Sequence, residues 1–154
     1  MIITSSIQVL AQKAITRFQS GYNCAQSVLL TLYEQMNPVS KNELIPKIAT
    51  GFGGGIGRCG FVCGALTGSI MAVGIKCGSN DPSVEKRAIA YATAQVLLKQ
   101  FERRHGTVFC RDLIKLDLSN PQEVAKARRE QVFEKVCTNL IETVIEDSSE
   151  IEGK

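Results

Sequence analysis

Ten of the thirteen glycines in this 154-residue chain fall between Gly51 and Gly78, and that concentration limits what the chain can fold into. Glycine loses more backbone freedom on folding than any other residue, so such a run weakens regular structure unless the missing side chains serve packing. Within it Gly60, Gly64, Gly68 and Ala72 stand four residues apart. On a helix these positions form one ridge with almost no side chain, along which another backbone can approach closely. The ridge is expected to bring a neighbouring helix, or a symmetry mate, close to Cys63. Tight core packing explains such a ridge by itself. A functional reading adds that the cleared space leaves room for a cofactor or another thiol. Gly55, Gly57 and Gly60 also match the G-x-G-x-x-G of dinucleotide sites, with Asp81 about 20 residues on. That fingerprint works only after a strand, and the preceding LIPKIAT carries Pro46 inside an expected helix. No nucleotide is expected.

Outside the glycine run the periodicity is helical. Ile7, Leu10, Ala11, Ala14, Ile15 and Phe18 recur at the spacing of an amphipathic stripe, stopped by Gly21. A second helix is expected from about Asn23 to Met36, and a short one around 44–52. Residues 59–75 lie uncharged between Arg58 and Lys76. They read as a buried helix, being short of the roughly 20 residues a membrane span needs. Asp81-Pro82 resembles a cap with proline at the first helical position, opening a helix to about Arg104 that Gly106 ends. Asn120-Pro121 with Glu123 repeats the signal, and Phe133, Val136, Cys137, Leu140, Ile141 and Val144 make the last stripe. No segment alternates at period two long enough for a strand. The expected fold is all-α, a single-domain bundle of five or six helices with a central Gly-rich helix. The domain is expected to cover residues 1–145, with 146–154 an acidic tail that frays.

Charge and leader signals narrow the function classes. The net charge of +3 divides into −3 over the last nine residues and +6 over the rest. That is too mild for nucleic acid, and no basic run is interleaved with aromatics. Residues 1–20 lack a basic start and a cleavage site, so the chain is expected to be cytoplasmic, with no membrane partner. Six cysteines in such a setting read as free, catalytic or metal-bound thiols rather than bridges.

Spacing alone does not single out a site among them. Cys59 and Cys63 are C-x3-C, not the C-x2-C of zinc knuckles, and the one histidine, His105, is distant. No C-x-x-C-H is present, so no covalent haem is expected. Each cysteine taken singly reads first as a small core hydrophobe. The arrangement carries more. CGALTG at Cys63–Gly68 follows GFGGGIGRCGFV, with GYNCAQ at Gly21–Gln26 upstream, CRDL at Cys110–Leu113 downstream, and then Cys137. Over about residues 10–145 this resembles the C_GCAxxG_C_C family of redox-active proteins: a cysteine, a Cys-Gly-Ala-x-x-Gly core, then two single cysteines. The resemblance implies a redox site of Cys24, Cys63, Cys110 and Cys137, and leaves Cys59 and Cys77 outside the signature. A related module accompanies haem in split-Soret cytochromes, where an iron–sulfur centre is implied; the haem-binding part has no counterpart here.

Three functions then compete. In the first, two of the four cysteines cycle between dithiol and disulfide, helped by helix N-termini near Cys63 and behind the Asn23 cap at Cys24. In the second, all four are metal ligands of an iron–sulfur cluster in an electron-transfer or sensor module. In the third, the chain is a helical dimerisation module with inert thiols. A homodimer and an unidentified redox partner protein are expected. Both redox readings require the four cysteines to meet in one partly buried cluster.

Overall fold

The computed structural model describes the backbone of residues 2–152 and the side chains of residues 6–150. Among them are eight α-helices: α1 (Ile2–Gln19), α2 (Cys24–Met36), α3 (Leu44–Ala49), α4 (Gly64–Cys77), α5 (Val84–His105), α6 (Cys110–Ile114), α7 (Pro121–Arg129) and α8 (Thr138–Glu152). The all-α class holds, with more helices than the five or six expected. The additions are short, and five residues of α6 are too few to show a periodic stripe. A 3₁₀ turn at Thr50–Phe52 follows α3, and a π turn at Phe133–Cys137 leads into α8. Among the described residues β pairing is confined to one antiparallel bridge, Val62 with Phe109.

Local chemistry sets the helix starts. Asn23 caps α2 in a capping box: its Oδ1 accepts from the Gln26 amide at 2.9 Å, and Gln26 Oε1 accepts from the Asn23 amide at 3.0 Å. Asn120 caps α7 with its side chain alone, accepting from the Gln122 amide at 3.0 Å, with Pro121 as the first helical residue. At α5 the sequence reading needs correction. The cap is Ser83, whose Oγ accepts from the Lys86 amide at 3.2 Å, so Asp81 and Pro82 lie outside the helix. Gly106 ends α5 at φ +79°, with its amide on the Glu102 carbonyl at 2.7 Å.

The core sits where α2 and α4 cross, between α1, α5 and α8. Ala25, Val28, Leu29, Leu66, Phe101, Ile141 and Ile145 are all buried there. The small-residue ridge makes this crossing possible. A Cβ on Gly68 would lie 2.6 Å from the Ala25 carbonyl oxygen, and one on Gly64 would collide with Cys24 Sγ. The ridge is therefore covered by α2 of the same chain. Gly60 does not belong to it, because α4 begins at Gly64 and Gly60 lies in the preceding loop at φ +73°.

That loop accounts for the rest of the glycine run. Gly54, Gly55, Ile56, Gly57 and Arg58 are five consecutive residues at positive φ, between +58° and +70°. L-residues avoid this region at roughly 1–2 kcal/mol each, which glycine escapes. The G-x-G-x-x-G match thus marks a left-handed turn, with no strand before it.

At the other end, the acidic residues expected to fray continue α8. Asp147 is 1% exposed, its Oδ1 3.1 Å from Arg104 Nη2, while Arg104 Nη1 reaches Glu146 Oε2 at 3.2 Å. Residues 153 and 154 of that expected tail lie outside the described residues. Among the described residues no helix is long and apolar enough to cross a membrane.

Candidate functional site

Four separate stretches of chain each carry one cysteine to the same place. Cys24 is the first residue of α2 and Cys63 caps α4. Cys110 opens α6, and Cys137 ends the π turn before α8. All four line a single cavity of about 590 Å³. Residues from four parts of the chain thus share one cavity wall, within one chain.

Two devices bring it about. The ridge contact seats α4 against the start of α2, which brings Cys24 beside Gly64. Asn23 Nδ2 donates to the Thr50 carbonyl at 2.9 Å, and Gln26 Nε2 donates to the Pro46 carbonyl and Thr50 Oγ1, both at 3.0 Å, fastening that end of α2 to α3. The β-bridge supplies the second device. The Cys63 amide donates to the Val108 carbonyl at 2.8 Å and the Cys110 amide to the Phe61 carbonyl at 2.7 Å. Cys63 and Cys110 are thereby diagonal neighbours across an antiparallel pair. Gly55 permits the approach: a Cβ there would stand 2.6 Å from Phe61 backbone and 2.8 Å from Cys110 Cβ.

The thiols are held neutral. Cys63, Cys110 and Cys137 are buried and Cys24 is half-buried. Burial pushes the Cys24 thiol up, against the pull of backbone amides of Gly54, Ala25 and Ala65. Burial also raises Cys63, with Cys24 and Cys110 adding to it and the Leu66 and Ala65 amides opposing. Cys110 is pushed up to about 12 by burial and then by Cys24. Cys137 rises through burial and then through Cys24, Cys63, Cys110 and Glu134. Cys24, Cys63 and Cys110 thus each raise another thiol of the set, as neighbours in one low-dielectric pocket do. Amides from the first turns of both α2 and α4 meet at Cys24, where the positive ends of two helix dipoles favour negative charge.

The remaining cysteines stand apart. Cys59 is exposed at the end of the left-handed turn, and Cys77 ends α4 beside a second cavity of about 370 Å³. Sequence reasoning missed several cavity residues, among them Arg58, Arg128, Phe133 and Glu134. Arg58 had a signal, as the one charge between Gly51 and Ile75; Arg128 lies on a polar helix and had none. All six cysteines are free, and among the described residues no three His, Cys, Asp or Glu side chains are gathered as ligands for a metal ion.

Fold and site together define an all-α protein organised around a four-cysteine cavity. The chain belongs to the C_GCAxxG_C_C family: the family model described as "Putative redox-active protein (C_GCAxxG_C_C)" matches residues 22–151. It is also similar to an "Uncharacterized protein" of Archaeoglobus fulgidus, 33% identical over 110 residues, covering 66% of this chain and 72% of that one. No solved structure matches it.

Proposed function

We propose that Cys24, Cys63, Cys110 and Cys137 form one electron-transfer centre that holds an iron–sulfur cluster. The observation carrying this reading is that four thiols from four elements line one cavity of about 590 Å³. Four thiolates are the number and softness such a cluster takes. Amides of Gly54, Ala25 and Ala65 aimed at Cys24 are the kind of donors that stabilise and tune cluster sulfur. The apolar side chains around Cys110 and Cys137 exclude water. A bound cluster supplies a one-electron carrier.

The raised pKa values favour this reading over dithiol–disulfide cycling. Exchange needs a thiolate, and burial keeps these thiols protonated at neutral pH. Metal ions remove the protons themselves when thiols coordinate them. Geometry adds to this. As diagonal neighbours on an antiparallel pair, Cys63 and Cys110 stand about 7–8 Å apart, beyond the roughly 4.4–6.8 Å between Cα atoms that a disulfide spans, which weighs against that one pairing.

Anaerobic purification with iron and acid-labile sulfide analysis tests the proposal. The expected result is coloured protein with iron and sulfide in equal amounts. Serine at any of the four positions removes the colour, while Cys59→Ser and Cys77→Ser keep it. Protein that stays colourless and iron-free after anaerobic reconstitution, yet loses two thiols on mild oxidation, returns the case to dithiol–disulfide chemistry.

A further inference from the structure

The geometry points to a binding site for a small organic anion at the mouth of the four-cysteine cavity, with its charged group between Arg58 and Arg128 and its apolar body against Phe18, Val124 and Phe133. This rests on the redox reading for its purpose, since it names a ligand class for the same site, but not for its binding chemistry.

Size comes first. Small-molecule sites run to about 300–1,000 Å³ and are mostly apolar, with a few placed polar groups. A cavity of about 590 Å³ lies inside that range, and its walls reach beyond the thiols to α1, α7 and the π turn. Phe18, Val124 and Phe133 are partly buried, so their rings and methyls keep surface for a ligand.

Charge comes second. The ionised side chains on the cavity wall are two guanidinium groups, Arg58 and Arg128, against one carboxylate, Glu134, a balance of +1. Both arginines are exposed, and among the described residues neither side chain has a hydrogen-bond or ion-pair partner. A planar guanidinium matches a carboxylate with two parallel hydrogen bonds.

The third point is strain. Arg58 is held at φ +67° as the last of five consecutive residues at positive φ, where glycine would sit without cost. A bulky residue kept in that conformation is a pointer to function. Here the strained backbone places Arg58 on the cavity wall.

Calorimetric titration of the full chain with 1-naphthoate tests the site, on both iron-loaded and iron-free protein. Naphthoate should saturate one site, about tenfold or more tighter than neutral 1-naphthalenemethanol or inorganic phosphate, because only it satisfies both halves of the site. Arg58→Gly and Arg128→Gln should each weaken it about tenfold, the loss of a charge-assisted hydrogen bond. Arg58→Gly should melt no lower than the parent, which separates lost binding from lost folding. Lys99→Gln, exposed on α5, should change nothing. Equal binding by parent and arginine variants, as in unspecific apolar adsorption, overturns the proposal. So does the absence of saturation, or arginine variants that shift only the reduction potential, as mere counter-charges would. Iron and sulfide content judge the redox reading separately, because naphthoate binding is expected in the iron-free chain as well.

Discussion

The two walls of the cysteine cavity are built differently. Cys63 belongs to the main core, with Cys24 packed at its edge, where helices α2 and α4 meet backbone to backbone. Cys110 and Cys137 belong to a small separate cluster with Ile114 and Leu118. That second wall is made of five-residue α6, nine-residue α7 and a π turn, with Lys115 and Gln131 at positive φ. Rigidity follows buried apolar contact and short, strained elements have little of it, so the second wall is the one expected to open first. The contrast shows how one cavity can draw two thiols from a stiff frame and two from a part able to yield.

The contrast can be broken by substitution. The largest effect is expected from Gly68→Leu, which drives a side chain into the Ala25 carbonyl and should cost more than about 3 kcal/mol. Gly64→Leu should behave similarly, and chemical denaturation measures both. If both melt like the parent, the first wall is not the tight contact described.

Next come paired truncations. Leu66→Ala in the main core should cost about 3 kcal/mol, and Leu118→Ala in the second cluster about 2 kcal/mol. Hydrogen exchange sharpens the difference. Leu66→Ala should speed exchange throughout, and Leu118→Ala chiefly in α6 and α7. Uniform acceleration in both variants would mean that the walls unfold as one.

A smaller effect is expected from alkali. Cys110 titrates near 12 in the fold, above an ordinary thiol, so the unfolded chain loses its proton first as pH rises. Its contribution is full below about pH 8.5 and is lost between there and 12, at up to about 1.4 kcal/mol per pH unit. Iron-free protein should therefore melt at lower temperature from pH 9 to 11, and Cys110→Ala should flatten that slope. The smallest effect is Arg58→Gly, which relieves a left-handed residue and should stabilise by about 1 kcal/mol in urea titration.

Much of this was legible in the residues, and the exceptions have physical causes. The capping of α2 by Asn23 and of α7 by Asn120 was readable because a cap and its partner lie within three residues. The start of α5 was misplaced by two residues, because Asp81-Pro82 and Ser83 offer rival caps and only backbone geometry chooses between them. Gly60 was assigned to the ridge because four-residue spacing looks the same whether or not the chain is helical there. The acidic end looked like a tail because a burying partner, Arg104, lies 42 residues away along the chain.

What the sequence by itself determined is the helical class, the ridge that lets two helices touch, and the four cysteines that the family pattern singles out. These are local or patterned features, carried by spacing and residue type. Only the tertiary structure decided that the ridge is covered by α2, and that the Val62–Phe109 bridge sets Cys63 and Cys110 diagonally across it. It alone placed Arg58 and Arg128 on the wall of the same cavity. Those outcomes depend on contacts between residues far apart in the chain, and no short-range preference encodes which distant surfaces meet.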